Sequence, residues 1–219
     1  MNKKRRFRVF VENLEEPISR WLYIEYKNLA RIVGKRNIFF TNIKDEYEYY
    51  CMKKITENVF KESISFLSFK NSRLIILDPD ASKSLKITDF DDDTIVLIGG
   101  IMGDFPPKHR TNIELSNKIK RENFKEVIYR NLGYGQFPID MAGLIALMVY
   151  KGTRLDNIDV MYGIEISVNE KNTIYLPYTY PVINGRPAIS EEEIEYLKNR
   201  VIEDEINRIL SKDKKIKIC

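Results

Sequence analysis

The sequence contains few of the residues that the commonest catalytic centres require. Its 219 residues include two cysteines, Cys51 and Cys219, and a single histidine, His109. Two cysteines, one of them the last residue of the sequence, are too few and too badly placed for a disulfide framework or a metal site. We therefore expect reduced thiols in an intracellular protein. A single histidine disfavours Ser/His/Asp and Cys/His centres, so a general base is expected to be a carboxylate unless His109 itself serves.

Long apolar stretches are also missing. Nowhere do 18 apolar residues follow one another, and the basic start of the chain is followed only by Val9-Phe10-Val11 before Glu12. A membrane span and a signal peptide each need a longer apolar segment. The sequence thus predicts a soluble, cytoplasmic protein with no membrane partner.

The composition that remains is that of a globular protein with a mild charge. Apolar residues make up 43% of the chain, and the net charge is +4. Such a chain can bury a full core, and a charge so close to balance does not argue strongly for nucleic acid. The basic cluster at 3–8 is the exception. It could touch phosphate, although a solvated tail is the commoner outcome.

Strand and helix patterns alternate along the chain, which predicts an α/β fold. Strands are predicted at 7–11, 38–40, 74–77, 94–98 and 126–129, and helices at 17–33, 57–66, 111–121 and 139–150. A hairpin over 160–168 and 173–176 and one final helix, begun by a capping box of Ser190 and Glu193, follow them. We expect a main domain over residues 1–159 and an appendage over 160–219 that packs on it.

The predicted helix at 139–150 is apolar on all sides, so it is expected to be buried inside the chain or against a second subunit. The protein is accordingly expected to be a monomer or a homodimer.

Two glycine-containing loops follow predicted strands. The first, Gly99-Gly100-Ile101-Met102-Gly103-Asp104, lies where a central strand ends, and ligands of α/β sheets bind at such ends. Its spacing matches neither the G-x-G-x-x-G fingerprint nor a Walker A loop, which disfavours a phosphate cradle. Its glycines instead let a flat ligand approach the backbone, although a plain turn would have the same composition. The second loop runs over 130–138.

Four blocks of residues, in this order, carry a resemblance to a known family. They are Val11-Glu12-Asn13-Leu14-Glu15-Glu16-Pro17-Ile18-Ser19-x-Trp21-x-x-x-Glu25-Tyr26, Leu77-Asp78-Pro79-x-Ala81, Gly99-Gly100-Ile101-Met102-Gly103-Asp104-x-Pro106-Pro107-x-x-Arg110-Thr111 and Arg130-x-Leu132-Gly133-x-x-Gln136-x-x-x-Asp140-x-Ala142. Together they resemble the SPOUT-class methyltransferases, a family that includes a fungal protein arginine methyltransferase acting on a small-subunit ribosomal protein. Archaeal members are described as predicted RNA methyltransferases.

The resemblance implies a mostly parallel sheet with helices on both faces and a trefoil knot near 94–152, one of the rare exceptions to unknotted topology. It also implies S-adenosylmethionine (SAM) as cofactor, with no metal. The residues that would wall the cofactor are Gly99, Gly100, Ile101, Gly103, Asp104, Arg130, Leu132, Gly133, Gln136, Pro138, Ile139, Met141 and Ala142.

Acidic residues in the same blocks suggest a cationic target. The pKa of a guanidinium is above about 12, so it is protonated at neutral pH. An arginine substrate therefore needs carboxylates to orient it and take a proton. We assign catalysis to Asp104 and Glu12. Substrate binding is assigned to Glu15, Glu16, Trp21, Glu25 and Arg110. The alternatives are that Glu15 and Glu16 only complement a helix N-terminus, that Trp21 is a core aromatic, and that Arg110 holds the cofactor or is solvated.

Three functions therefore compete. The preferred one is SAM-dependent methylation of an arginine side chain of a ribosomal protein. The second is methylation of tRNA or rRNA, with the cluster at 3–8, Lys108 and Arg110 gripping phosphates. The third is an inactive SAM-binding interaction module.

Overall fold

A five-stranded parallel sheet forms the centre of the protein. The computed structural model describes residues 6–103, 106, 108–170, 172–210 and 217–219, with the side chains of 208–210 left aside. The sheet has the order β2-β1-β4-β3-β5, and every neighbouring pair is parallel. Its strands are β1 (Arg6–Asn13), β2 (Ile38–Thr41), β3 (Phe69–Leu77), β4 (Asp93–Gly100) and β5 (Phe124–Arg130).

Side chains alternate between the two faces of the sheet, and both faces are buried. In β1, Val9 and Val11 join one apolar cluster while Phe10 joins the other. Helices α1 (Arg20–Val33) and α3 (Ile139–Tyr150) cover the first face. Short turns of 3-10 and π helix at Ile64–Phe66, Thr111–Leu115 and Ser116–Lys118 cover the second. Burial on both sides explains why these strands are almost continuously apolar.

Helix α1 is held close to α3. The Ser19 side chain caps its first turn by accepting from the backbone N–H of Leu22, and Gly34, at φ +88°, ends it. A Cβ on Gly143 of α3 would lie 2.2 Å from Cδ1 of Leu29, so the two helices approach at a distance only glycine permits. The helix predicted at 139–150 is thus buried within the chain.

The remaining elements form a second layer beside the first sheet. Strands β6 (Val160–Ser167), β7 (Thr173–Ile183) and β8 (Arg186–Pro187) make an antiparallel sheet, followed by α4 (Glu191–Asn199) and α5 (Val201–Leu210). Asn184 and Gly185, at φ +53° and +75°, form the turn between β7 and β8. Ile164 and Tyr180 of this sheet share an apolar cluster with Met141 of α3. The boundary near residue 159 stays a prediction.

The predicted helix at 57–66 is wrong. The helix in this region is α2 (Glu46–Lys53), which Asp45 caps by accepting from two backbone N–H groups of the first turn. Residues 58–60 instead run beside β2, where Phe40 N donates to Asn58 O and Phe60 N donates to Phe40 O. Pairing with the sheet edge overrode the helical pattern.

Two other helices differ from their predictions. The helix predicted at 111–121 is divided into short π and 3-10 turns, because this segment packs over the second face of the sheet. The final helix is broken at Arg200, whose φ of −135° separates α4 from α5. The predicted α/β class with a mostly parallel sheet is confirmed, whereas the knot stays a prediction. No helix in the described ranges is long and apolar enough to cross a membrane.

The expectation of two unpaired cysteines is wrong. Cys51 of α2 and Cys219 form a disulfide across 168 residues of sequence, with their Cα atoms 5.6 Å apart. Ile218 is buried in the first apolar cluster, and Arg20 Nη2 donates to Lys217 O at 2.9 Å. The last residues thus dock on α1 and α2 and bring Cys219 to its partner. The inference of a reducing compartment loses its support from unpaired thiols.

Removal of this cross-link should destabilise the protein. Cys219→Ser should lower the free energy of unfolding by roughly 2–4 kcal/mol, because the unfolded chain regains the freedom of a very long loop. Urea unfolding with and without dithiothreitol measures this. Reductant should lower the stability of the parent chain and leave the variant unchanged. Two alkylatable thiols in the unreduced, denatured parent chain would contradict the disulfide.

Candidate active site

A cleft lies at the carboxyl edge of the parallel sheet. Its empty space, including open solvent at the mouth, is about 1120 Å³. Three loops that follow β3, β4 and β5 form its floor, and side chains from α1 and β7 form its walls. The walls include Trp21, Glu25, Tyr178 and Tyr180. This is the position at which open α/β sheets bind their ligands.

Most of the residues predicted to wall a cofactor line this cleft. They are Gly99, Ile101, Gly103, Arg130, Leu132, Gln136, Pro138, Ile139 and Ala142. Of the others, Gly100 packs against the Tyr26 hydroxyl, Gly133 is exposed, and Met141 is buried among residues of the second layer. Asp104 lies outside the described residues. The structure therefore brings together residues from both glycine loops.

Two glycines let β7 close directly over these loops. The Tyr178 hydroxyl donates to Gly103 O at 2.9 Å, and a Cβ on Gly103 would lie 2.5 Å from the Tyr178 ring. Gly135 has φ +90°, and a Cβ there would lie 2.1 Å from Thr179 Oγ1. Thr179 N donates to Gln136 O at 2.7 Å. The second layer is thus a wall of the cleft.

Glu15 holds the loop after β4 through hydrogen bonds to its backbone and to Arg110. Its Oε1 accepts from the backbone N–H of Met102 at 3.1 Å and from Arg110 Nη1 at 2.7 Å. Arg110 Nε donates to Glu114 at 2.7 Å. The hydrogen bond with Glu114, followed by that with Glu15, raises the pKa of Arg110 above its ordinary value. Arg110 lines the cleft with its charge already compensated by two carboxylates.

Arg130 and His109, which also line the cleft, each have an acidic partner. Arg130 donates to both carboxylate oxygens of Asp89, at 2.8 and 2.6 Å. His109 Nδ1 lies 2.7 Å from Asp80 Oδ1, and both residues line the cleft. Among the described residues there is no group of three or more His, Cys, Asp or Glu side chains that could hold a metal ion.

The predicted catalytic and substrate residues lie in different places. Trp21 and Glu25 line the cleft. Glu12 is buried outside it, on the other face of the sheet, where it accepts hydrogen bonds from Thr41 Oγ1 and Ile64 N. Glu16 is exposed and pairs with Lys44 at 3.3 Å. The catalytic assignments of Glu12 and Asp104 stay predictions.

Three carboxylates are buried together where α1, α3 and α4 meet. Glu25, Asp140 and Glu193 are each 6% exposed or less. Glu25 accepts from the backbone N–H of Ile139 at 2.9 Å. Asp140 accepts from Asn28 Nδ2 at 2.7 Å, and Glu193 accepts from Trp21 Nε1 at 3.0 Å. No cation among the described residues pairs with any of the three. We call this group the carboxylate cluster.

Burial changes the protonation of the carboxylate cluster. Desolvation, followed by the charges of Asp140 and Glu193, raises the pKa of Glu25 well above its ordinary value. Desolvation and then the charge of Asp140 raise the pKa of Glu193 to about 8. Desolvation raises the pKa of Asp140 to about 6, against the hydrogen bond from Asn28. At neutral pH the cluster therefore retains protons that a cation could displace.

Sequence reasoning missed Glu193 and Tyr180. Ser190 and Glu193 match a capping box, and the Ser190 side chain does accept from Glu193 N at 3.1 Å. The Glu193 carboxylate, however, turns to Trp21. Tyr180 lies in a strand without any motif. The pairing of Glu193 with Trp21 distinguishes this glutamate from an ordinary capping residue, and it can be recognised only once the fold is known.

A match to a protein-family model shows the family to which the chain belongs. The model, described as protein arginine N-methyltransferase SFM1-like, matches residues 8–204. The chain belongs to this family. The SFM1-like assignment confirms the resemblance read from the sequence blocks and the predicted enzyme class, a methyltransferase.

Individual relatives agree with the SFM1-like assignment. Protein arginine N-methyltransferase SFM1 of Saccharomyces cerevisiae is 24% identical over 205 residues, which cover 86% of this chain and 92% of that protein. The crystal structure of yeast SFM1 complexed with SAM matches with a TM-score of 0.76 and 24% identity, covering 90% of this chain and 92% of that one. A Trm10 structure from Thermococcus kodakaraensis matches with a TM-score of 0.53 and 17% identity, covering 68% and 95%. These structures share the fold.

Glu15 and Glu16 offer a matched pair for testing the order of the loop after β4. Glu15→Ala removes a charge-assisted acceptor from Met102 N–H and should speed exchange of that amide with solvent about tenfold or more. Glu16→Ala removes only a surface ion pair and should leave the exchange rate unchanged. Amide hydrogen exchange by NMR measures both. Equal acceleration in the two variants would show that Glu15 does not hold the loop.

The carboxylate cluster should make stability fall as pH rises. The folded pKa of Glu193 is raised to about 8, so between about pH 4.5 and 8 the folded state binds more protons than the unfolded state. For each extra proton that the folded state binds, the free energy of unfolding falls by roughly 1.4 kcal/mol per unit rise in pH. Glu193→Gln should flatten this decline in urea unfolding at pH 5.5, 7 and 8.5. Exposed Glu195→Gln is the control. A decline as steep in Glu193→Gln as in the control would contradict the raised pKa.

Proposed function

We propose that this protein transfers the methyl group of SAM to an arginine side chain of a protein of the translation machinery. The observation that carries the proposal is the composition of the cleft. Two glycine loops at the carboxyl edge of the sheet face a wall of aromatic and acidic residues, Trp21, Glu25 and Tyr180. Such a wall suits a planar cation.

The floor of the cleft fits SAM. Gly103 and Gly135 let Tyr178 and Thr179 of β7 pack directly against the two loops, which fixes these loops at the floor of the cleft. Leu132, Ile139 and Ala142 add apolar surface next to these loops. A mostly apolar cleft with a few fixed polar groups is the usual form of a cofactor site. When bound, SAM supplies a sulfonium-activated methyl group.

The protein itself needs to orient the acceptor nitrogen and take its proton. Orientation alone is worth roughly 7–11 kcal/mol in favourable cases. Glu25 is the carboxylate from the predicted substrate set that faces the cleft, next to Trp21. Arg110, whose charge is balanced by Glu15 and Glu114, holds the loop rather than gripping an anion.

The basic segment at 3–8 gives little support to an RNA substrate. Residues 3–5 lie outside the described residues, and Arg8 is committed to Asp93 at 2.7 Å and to Ser72 at 2.8 Å. Lys108 does line the cleft. Methylation of tRNA or rRNA is therefore an outcome that the test must separate from arginine methylation.

Methyl transfer into a cell extract separates the substrates. The intact protein is incubated with labelled SAM and an extract that lacks this activity, and the product is divided between protease and nuclease treatment. We expect protease to release the label and methylated arginine to appear after acid hydrolysis. Label released by nuclease would replace the proposed substrate with RNA. SAM binding without any label would indicate the inactive module.

A further inference from the structure

The Tyr180 hydroxyl is a buried polar group at the wall of the cleft. The side chain of Tyr180 is 0% exposed, and its hydroxyl has no hydrogen-bond partner among the described residues. A buried hydroxyl without a partner costs on the order of 1–3 kcal/mol, so such groups ordinarily bond to an ordered water or to a ligand. Tyr180 lines the cleft together with Glu25 and Trp21.

The same place holds an excess of buried acid. The ionisable groups that act most strongly on the Tyr180 hydroxyl are Glu193, Glu25 and Asp140, from α4, α1 and α3, and Tyr178 from β7. Every one of these groups is acidic or phenolic. The neutral groups Trp21 and Asn28 each donate to one carboxylate. Buried carboxylates are ordinarily paired with cations, and no cation among the described residues pairs with these three.

We propose that the inner end of the cleft is the site of the substrate guanidinium, with Glu25 and Tyr180 in contact with it and Glu25 as the proton acceptor. Glu193 and Asp140 are positioning residues behind Glu25. This inference rests on the proposed function and assigns its substrate site. A guanidinium is complementary to both groups, because it carries a positive charge and N–H donors for the carboxylate and the phenolic oxygen.

The step balances without another reactant. A guanidinium nitrogen forms a bond to the methyl carbon of SAM, and the carbon–sulfur bond breaks with its electron pair remaining on sulfur. The nitrogen gives one proton to the Glu25 carboxylate, so the methylated guanidinium keeps a single positive charge. S-adenosylhomocysteine is the second product. Burial, followed by the charges of Asp140 and Glu193, raises the pKa of Glu25, so its carboxylate is a stronger base than a solvated one.

A small guanidinium probe tests binding apart from methyl transfer. The intact protein with S-adenosylhomocysteine is titrated calorimetrically with n-propylguanidinium and with its neutral analogue n-propylurea. The guanidinium should bind saturably at pH 7, the urea should not, and binding in buffers of different ionisation enthalpy should reveal proton release. Equal binding of the two compounds would overturn the proposal.

Matched variants identify the contacting residues. Glu25→Gln should weaken n-propylguanidinium binding roughly ten- to hundredfold, the effect of losing one charge-assisted hydrogen bond. Tyr180→Phe should weaken it roughly three- to tenfold. Exposed Glu195→Gln and Tyr175→Phe make the same chemical changes away from the cleft and should bind as the parent chain does. S-adenosylhomocysteine affinity reports whether each variant keeps its cofactor site. Retained probe affinity in both Glu25→Gln and Tyr180→Phe would overturn the assignment.

The positioning role of Glu193 has its own readout. Guanidinium binding should weaken as pH falls and Glu25 gains its proton. Glu193→Gln removes a neighbouring negative charge, so the midpoint of that loss should move to lower pH, whereas Glu195→Gln should leave it in place. A general loss of binding at every pH without a change of midpoint would mean that Glu193 is only structural.

The results also separate this inference from the proposed function. Methylarginine formed in the extract by the parent chain and by Glu25→Gln at equal rates would keep the function and remove the assigned site. Selective guanidinium binding that depends on Glu25 and Tyr180, with nuclease-sensitive label in the extract, would keep the cation site and remove arginine methylation as the function.

Discussion

Parallel pairing of β3, β4 and β5 is the constraint on which the cleft depends. Ile76 pairs with Leu97 of β4 on one side and with Tyr129 of β5 on the other, so the three strands end at the same edge of the sheet. The loops that follow them are therefore neighbours, although up to several tens of residues separate them along the chain.

The second layer, with β7 and α4, forms the side of the cleft that the parallel sheet does not. Tyr178 and Thr179 of β7 bind the two glycine loops, Tyr180 lines the cleft, and Glu193 of α4 joins the carboxylate cluster. The second layer thus both covers the two glycine loops and supplies part of the acidic wall. Helix α3 lies between this layer and α1, because Met141 packs with residues of β6 and β7 and Gly143 packs against Leu29.

Local sequence patterns were enough to locate the sheet and the loops. The apolar runs of β3 and β4, the glycines at the end of β4 and the approximate extent of α1 each depend on a few neighbouring residues. Contacts between residues far apart in the sequence could not be predicted from such local patterns. The Cys51–Cys219 disulfide requires the chain end to dock on α1 and α2, and the role of Glu193 requires α4 to reach Trp21. The edge pairing of residues 58–60 with β2 defeated a helical pattern for the same reason.

A crystal structure of the protein with S-adenosylhomocysteine and an arginine-containing peptide tests the central claim most directly. The account predicts a guanidinium at the inner end of the cleft, about 3 Å from the Glu25 carboxylate and the Tyr180 oxygen, with one nitrogen directed at the sulfur. A guanidinium bound elsewhere, with Tyr180 still unpartnered and the carboxylate cluster still without a cation, would contradict it.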